Sequence, residues 1–483
     1  MKKMAKKNTA KIFGGTKALV MGLGLHGGGV ATTKWLVKHG ATVTATDKRT
    51  KEVLAPSLKA LKSTKATFVL GEHRKKDFEQ NDLIVVNPGV PRESEYLAVA
   101  KKAGKRIEND ASLFFRFTDN PVIAVTGTRG KTTTTLWIAE LLKKKYPHVL
   151  PSGNTPENAF LKEFERVQGK DIPVVAEMSS WQLEYLPIAG SAPHIAIITN
   201  IYPDHLNRYK GIKDYANAKA NIFHDQHEDD FLVLNYDNEW TKHFLTKRPK
   251  SIPFFTSVKS LPKGVNGLFV RAEHLVFRFD DTEQKLFSIK RFTSERGVHN
   301  LENLLGAVLA IKLFDSEVVV TEKDVLGLPT PTMRQEVIYK KGKLTVVNDS
   351  CATSPDGTIA AIERFRKPGN IVLMCGGTDK ELEFSLLAAK IKKYIPREQL
   401  VLLEGSATKK LIAELVSQKY FKGHAQEIHT SLASCVDCAL AVTKTLKGKT
   451  TILFSPGAAS FEKFLHEFDR GEKFNVLIKK LLK

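Results

Sequence analysis

Residues 122–143 constrain this chain more than any other stretch. Val122-Ile-Ala-Val-Thr126 follows Pro121 and reads as a short buried strand. Leu136, Ile138, Ala139, Leu141 and Leu142 then recur at helical spacing. Between them stands Gly127-Thr128-Arg129-Gly130-Lys131-Thr132, with Thr133 behind it. A glycine turn that leaves a strand and opens a helix points backbone N–H groups at one place, and the helix N-terminus adds positive potential there. Such a turn suits phosphate oxygens. Lys131 can then reach the terminal phosphates and the Thr132 hydroxyl can ligate Mg²⁺. The usual nucleotide-binding loop carries one more glycine, where this chain has Val125. The shorter pattern Gly-x-x-Gly-Lys-Thr remains.

A second glycine turn lies near the N-terminus. Lys17-Ala-Leu-Val-Met21 reads as a strand, Gly22-Leu-Gly24-Leu25-His26-Gly27 as the turn, 30–38 as a helix and 42–46 as a strand ending at Asp47. Gly-x-Gly-x-x-Gly with an acid about 20 positions on is the dinucleotide-binding pattern, and alone it argues for an NAD-dependent oxidoreductase. The physics is more general, because such glycines let any diphosphate approach a helix end. A nucleotide-sugar diphosphate fits equally, with Asp47 on a ribose or uracil group. Leu83-Ile-Val-Val86 reads as a buried strand before the loop Asn87-Pro88-Gly89. Alternating strands and helices imply a parallel sheet with ligands at the strand C-termini.

The pattern continues twice. In the centre, 171–177 reads as a strand ending in Glu177, and 194–199 as a strand that delivers Asn200, Asp204 and His205. A helix at 212–223 carries Lys219. Glu177, Asp204 and His205 are expected on the same sheet edge as the phosphate loop, where oxygen ligands and one imidazole suit Mg²⁺ or Mn²⁺ better than zinc. The segment 250–290 reads as a small antiparallel insert. Asn300 and Asn303 open an apolar helix, which they either cap or extend towards an adenine or ribose. Residues 327–332 are a proline-rich joint. Beyond it, strands at 344–348, 371–375, 399–403 and 451–454 end in polar turns. The expected fold class is therefore α/β with three domains: a Rossmann-like domain over 1–118, a central P-loop-type ATPase domain with a parallel sheet over 119–328, and a C-terminal Rossmann-like α/β domain over 329–483.

Composition narrows the partners. The chain's 483 residues suffice for three domains at roughly 150 each. A net charge of +22 invites a nucleic-acid reading, but the basic residues are spread along the chain among 52 Asp and Glu. Anionic small molecules suit the same charge, and no nucleic acid is expected. Cys435-Val-Asp-Cys438 has a metal or redox spacing, yet it lies in a helical pattern with both sulfurs on one face and no second pair. It reads as core. No long apolar segment is present, so no membrane insertion and a cytoplasmic location are expected.

Assembled, Gly127-Thr-Arg-Gly-Lys-Thr-Thr-Thr, Asn200 with Asp204-His205, Tyr215-Ala-Asn-Ala-Lys219 and Gly297-Val-His-Asn300 resemble the Mur ligases. These are the ATP-dependent amide-bond-forming enzymes of peptidoglycan precursor synthesis, and the resemblance covers nearly the whole chain. Glu177-Met-Ser-Ser-Trp-Gln-Leu-Glu184, Asn348-Asp-Ser-Cys-Ala-Thr353, Ser455-Pro-Gly-Ala-Ala-Ser460 and Phe474 after Arg470-Gly-Glu-Lys point within that family to the D-glutamate-adding type. So does a Gly22 turn with no further NAD-type domain, which in that type binds UDP.

The resemblance implies a reaction and its residues. An alanyl carboxylate on UDP-N-acetylmuramoyl-L-alanine takes the γ-phosphate of ATP, and D-glutamate displaces phosphate from the acyl phosphate. Residues 127–133 would hold ATP. Thr132, Glu177, His205 and a carbamylated Lys219 would hold two Mg²⁺ ions, with Asp204 in support. Asn300 and Asn303 would approach the adenosine, and Arg334 and Asp349 would close over the nucleotide. Leu25, His26, Asp47, Asn87, Pro88 and Gly89 would face the uridine, and Asn154 the muramoyl group. Thr353, Lys380 and Ser460 would take the D-glutamate carboxylates. A monomer is expected. The chain departs from the family pattern at Cys351, where a lysine is usual, at Met333-Arg334-Gln335, and at Glu467-Phe468, where the expected aromatic is displaced. All three fall in the third domain, so a Mur-type ligase for another amino acid is the near alternative. An NAD-dependent oxidoreductase is the distant one, and it gives Lys131, Glu177, His205 and Lys219 no role. A basic nucleic-acid-binding ATPase is the third reading.

Overall fold

A computed structural model describes residues 12–25, 27–153, 158–205, 208–367, 369–421 and 427–482, the His299 side chain excepted. By contact it divides into two compact units, Met1–Pro203 with Arg208–Leu328 and Asp204–Asn207 with Pro329–Lys483.

The first unit contains two sheets. One runs Thr67–Leu70, Thr42–Asp47, Lys17–Met21, Leu83–Val86, Arg106–Glu108 in spatial order, all parallel. Its order reverses between Lys17–Met21 and Leu83–Val86, which is where a doubly wound sheet leaves a crevice for ligands. The pairing Met21↔Val86 brings the Gly22 and Asn87 turns side by side. All four residues of Leu83–Val86 are buried, as expected of a strand covered on both faces.

The other sheet has nine strands. Leu150–Gly153, Val174–Glu177, Val122–Thr126, Ile195–Ile198, Phe231–Asn235, Ile252–Ser257 and Gly267–Arg271 are parallel. His274–Phe279 and Thr282–Ser288 finish the edge antiparallel. The segment 250–290 is therefore an extension of the main sheet rather than a separate insert. Phe254, Leu268 and Leu275 explain it, since they share one apolar cluster with Ile123 and Val233. The helix Val298–Phe314 lies in that cluster through Leu304, Leu305, Val308 and Ile311, with Trp137 and Ile138 of the helix Lys131–Leu142.

The two sheets carry a joint core. Phe13, Trp35 and Phe114 cluster with Phe160 and Phe164 of the helix Phe160–Val167, and Trp35 meets Phe164 edge-on at 5.4 Å. Each such buried aromatic contributes about 1.5–3 kcal/mol from removed apolar surface. Asn109 Nδ2 adds a hydrogen bond to Gln182 O at 2.9 Å.

The second unit has a six-stranded sheet: Glu336–Lys341, Leu344–Asn348, Thr450–Phe454, Asn370–Cys375, Leu400–Leu403, Ile428–His429. Only the first pair is antiparallel. Cys435 and Cys438 lie in the helix Leu432–Thr445, Cys435 buried and Cys438 partly exposed. Burial pushes the Cys435 thiol up to about 12, which keeps it neutral. No helix among the described residues is long and apolar enough to cross a membrane.

Candidate active site

The phosphate loop is built by backbone that only glycine allows. Gly127 and Gly130 have φ of 144° and 80°. A methyl group on Gly127 would stand 1.9 Å from Thr199 Oγ1, and one on Gly130 2.1 Å from Asn303 Oδ1. The segment after Ile195–Ile198 grips the loop. Thr128 N donates to Asn200 O at 2.8 Å, Arg129 N to Asn200 Oδ1 at 2.9 Å, and Thr199 Oγ1 to Arg129 O at 2.6 Å. Thr134 Oγ1 reaches Asn303 Oδ1 at 3.5 Å, so Asn303 stands against the loop itself. Asn303 Nδ2 in turn donates to Asn300 Oδ1 at 3.2 Å. The first amides of a helix have no partner within it, and no side chain caps Lys131–Leu142 at Gly130. Lys131 Nζ folds over the loop, donating to Gly127 O and Thr128 O at 3.1 Å each. A triphosphate fits this cradle: glycine-shaped backbone, a helix N-terminus and one lysine.

Two more predicted residues converge there. Strand pairing puts Glu177 opposite Val125, and Thr126 Oγ1 donates to Met178 O at 2.8 Å. Lys219, only 1% exposed on the helix Ile212–Ala220, donates from Nζ to Thr126 Oγ1 at 3.3 Å and lies 4.7 Å from the Tyr215 ring centre. Glu177 is also buried. A carboxylate, a lysine and a phosphate loop thus meet at adjoining strand ends. Asp204 and His205 group with the second unit. Between themselves, His205 N donates to Asp204 Oδ1 at 2.9 Å and His205 Nε2 lies 3.8 Å from Asp204 Oδ2. His205 takes φ 55°, a conformation that costs a non-glycine residue energy and collects at functional sites. Among the described residues, no group of three His, Cys, Asp or Glu side chains stands close enough to hold a metal ion.

At the first sheet, Asp47 shapes the other glycine turn. Its Oδ2 accepts from Gly24 N at 2.9 Å and its Oδ1 from Arg49 N at 3.0 Å. Leu25, half-buried, comes directly after that amide. A methyl on Gly22 would stand 2.9 Å from Asn87 Cβ, and Asn87 Oδ1 accepts from Gly89 N at 3.2 Å. Pro88 O accepts from Arg208 Nη1 at 3.1 Å. Arg208 Nη2 donates to Glu184 Oε2 at 2.9 Å, the Tyr209 hydroxyl to Glu184 Oε1 at 2.6 Å, and the Arg208 guanidinium lies 4.7 Å from the Trp181 ring centre. Sequence reasoning gives Arg208 and Glu184 no role. Glu184 stands inside the motif 177–184, whereas Arg208 carries no signal. His26 and Asn154 lie outside the described residues.

In the second unit the predicted residues sit on the turns at the ends of adjoining strands. Asp349 is buried. Its Oδ2 accepts from Ser455 Oγ at 2.7 Å and its Oδ1 from Gln335 N at 3.0 Å. Burial pushes its carboxyl up to about 7, with Arg334 and Arg364 pulling the other way. Arg334 stands between Met333 and Gln335, both at positive φ (56° and 53°). Lys380 Nζ reaches Thr353 Oγ1 at 3.4 Å, so this cation and hydroxyl are together as expected. Ser460 is 3% exposed, and its hydroxyl has no hydrogen-bond partner among the described residues.

Known proteins resemble this chain. The Mur ligase middle domain model matches residues 125–311, and the Mur ligase MurD-like N-terminal domain model matches 16–108. A UDP-N-acetylmuramoylalanine–D-glutamate ligase of Roseiflexus sp. is 36% identical over 96% of this chain and 98% of its own. One of Borreliella burgdorferi is 35% identical over 96% and 97%. MurF of Acinetobacter baumannii has the same fold, with a TM-score of 0.55 over 97% of this chain and 91% of its own at 15% identity. With a glycine-built phosphate cradle at its centre and relatives along nearly its whole length, the chain belongs to the Mur ligase family and is an ATP-dependent ligase.

Proposed function

We propose that the protein joins D-glutamate to UDP-N-acetylmuramoyl-L-alanine in peptidoglycan precursor synthesis, as a monomer in the cytoplasm. The observation that carries this reading is the convergence of Lys131, Glu177 and the buried Lys219 at one set of strand ends. Similarity to ligases of that name supports the choice of substrates.

The alanyl carboxylate oxygen attacks the γ-phosphorus of ATP and ADP leaves, giving an acyl phosphate. The amine of D-glutamate attacks the acyl carbon, loses a proton, and phosphate leaves. Lys131 and the helix N-terminus behind Gly130 hold the negative charge that develops on the transferred group, so this chain's part is positioning and electrostatics. Thr132, Glu177 and Lys219 would hold Mg²⁺, which would supply further countercharge. An unmodified Lys219 would repel that ion. Reaction of its neutral amine with CO₂, with loss of a proton, gives a carbamate that places an anionic oxygen there instead. Two such ions are part of this reading. Asn300 and Asn303 border the nucleotide. Leu25, Asp47 and the loop Asn87-Pro88-Gly89 take the uridine diphosphate. Thr353, Lys380 and Ser460 take the incoming carboxylates.

The test is product analysis. ATP, Mg²⁺, UDP-N-acetylmuramoyl-L-alanine and D-glutamate should give ADP, phosphate and a product heavier by one glutamyl residue. ADP without that product contradicts the reading.

A further inference from the structure

Glu184 is a buried carboxylate that the proposed reaction does not use. Its side chain is 2% exposed, and it ends the short helix Ser180–Leu183 that follows the strand Val174–Glu177. The segment between them is fixed. Met178 N donates to Val125 O at 2.9 Å, and Gln182 N donates to Ser179 Oγ at 3.3 Å. Glu184 therefore keeps a set place relative to the phosphate loop behind Val122–Thr126.

Three donors converge on this carboxylate. Arg208 Nη2 lies at 2.9 Å, the Tyr209 hydroxyl at 2.6 Å and Arg92 Nε at 3.8 Å. Burial and the Glu184 carboxylate push the Tyr209 phenol far up, so it stays a neutral donor. Two guanidinium groups thus share one carboxylate, and both lead to the sugar-nucleotide loop. Arg208 Nη1 also donates to Pro88 O at 3.1 Å, and Arg92 follows that loop in the chain. The Tyr209 ring stands 5.3 Å from that of Tyr215, on the helix Ile212–Ala220 that carries Lys219. One carboxylate joins the segment of Glu177, the loop Asn87-Pro88-Gly89 and the helix of Lys219.

The loop does not need this junction for its own shape. Asn87 N donates to Met21 O at 2.9 Å, Val90 N to Asn87 O at 2.9 Å and Gly89 N to Asn87 Oδ1 at 3.2 Å. Nor do the two sheets need it to stay together, since they share the apolar core of Trp35, Phe114 and Phe164. What Glu184 adds is the place of one loop relative to the other. The reaction is sensitive to that place. The diphosphate is held at the first sheet, while the carboxylate at the far end of the same molecule must reach a phosphorus held at Gly127–Lys131. A displacement of about 1 Å between reacting groups costs on the order of 10²-fold in rate.

We propose that Glu184 is a positioning residue for phosphoryl transfer, which through Arg208 and Arg92 holds the sugar-nucleotide loop in register with the phosphate loop. It acts through those arginines rather than on either substrate. This inference rests on the ligase reaction proposed above and names a residue that governs its first step.

The test separates the step from binding. Acyl phosphate formed at saturating ATP and UDP-N-acetylmuramoyl-L-alanine is trapped with hydroxylamine. Calorimetry measures UDP alone and a non-hydrolysable ATP analogue alone. In Glu184→Gln the trapping rate should fall on the order of 10²-fold, while both affinities stay within about threefold of wild type. Arg208→Lys keeps a cation but has no fork to span Pro88 O and Glu184, so its trapping rate should fall about tenfold. The double variant Glu184→Gln/Arg208→Met should lose no more than about threefold beyond Glu184→Gln, because the pair works as a unit. That double variant leaves no Arg208 charge unpaired, and with Arg208→Lys it gives the same reading should Glu184→Gln not fold. A fall in UDP affinity parallel to the fall in trapping would make Glu184 a builder of the loop and overturn the proposal. Losses that multiply in the double variant would overturn it too. Trapping near the wild-type rate with both affinities intact overturns this inference alone. A wild-type protein that traps no acyl phosphate overturns the proposed reaction and this inference with it.

Discussion

The turn after Lys17–Met21 and the turn after Val122–Thr126 share a backbone. Each enters its helix through a left-handed glycine, Gly27 at φ 79° and Gly130 at φ 80°. They differ in their next residues and in their surroundings. Behind Gly130 come Lys131 and Thr132; behind Gly27 come Gly28 and Gly29. Around the Gly130 turn stand the amides and hydroxyls of Asn200, Thr199 and Asn303. Around the Gly27 turn stand the Asp47 carboxylate and the Asn87 turn. One turn is equipped to hold and move a phosphoryl group. The other lacks a cation at the matching place and suits a diphosphate that does not react. Glycine spacing sets a shape, and the residues just beyond it, together with the ends of neighbouring strands, set the chemistry. The NAD-dependent reading comes from taking the shape alone.

The largest expected contrast comes from removing that cation. Lys131→Met should lower kcat about 10³-fold and leave binding of the UDP substrate unchanged. Equal losses in kcat and in UDP-substrate affinity would mean that the two turns do not divide the work. Lys219→Ala should lose about 10²-fold or more in kcat, and a short-chain carboxylic acid should restore part of it. A fully active Lys219→Ala protein rules out the carbamate.

The glycines themselves allow a reciprocal experiment. A Cβ on Gly130 meets Asn303 Oδ1 at 2.1 Å, and one on Gly29 meets Leu23 O at 2.3 Å. Gly130→Ala should weaken ATP binding about tenfold and spare the UDP substrate, and Gly29→Ala should do the reverse. Calorimetry on both variants checks it, and loss of both ligands in either one would unite the two turns in a single site.

The smallest effect on turnover is expected between the two sheets. Asp110 is buried at the start of the helix Asp110–Phe117, and burial pushes its carboxyl up to about 6. A raised carboxyl holds its proton more tightly when folded. Its stabilising contribution is full below pH 4 and is lost as pH rises through about 6, a swing of roughly 3 kcal/mol. Asp110→Asn should flatten the fall in melting temperature across that window and keep activity within about twofold. An unchanged melting profile would show that Asp110 does not titrate there.

Much of the fold is legible in the sequence because strands buried on both faces read as apolar runs and their ends read as polar turns. Val122–Thr126 with Lys131, Val174–Glu177 and the helix of Lys219 are found that way, and strand pairing then collects them. Ile252–Ser257 and Gly267–Arg271 are misread because a parallel edge and an antiparallel hairpin show the same loose alternation. Only the shared cluster of Phe254 and Leu268 decides between them. Arg208 is invisible because its partners, Glu184 and Pro88 O, stand 24 and 120 positions away. Ser460 is legible as a site residue, while its unpartnered hydroxyl is a fact of packing.

The central claim is that both turns serve one reaction. We would measure ADP release with ATP, Mg²⁺ and UDP-N-acetylmuramoyl-L-alanine, adding each of a panel of amino acids separately. Turnover with D-glutamate and with no other member is the predicted result, and it would show that Cys351 and Glu467 are compatible with that substrate. Turnover with a different amino acid would contradict the assigned substrate and move the novelty to those two positions. Release of no ADP with any amino acid would contradict the joint use of the two turns.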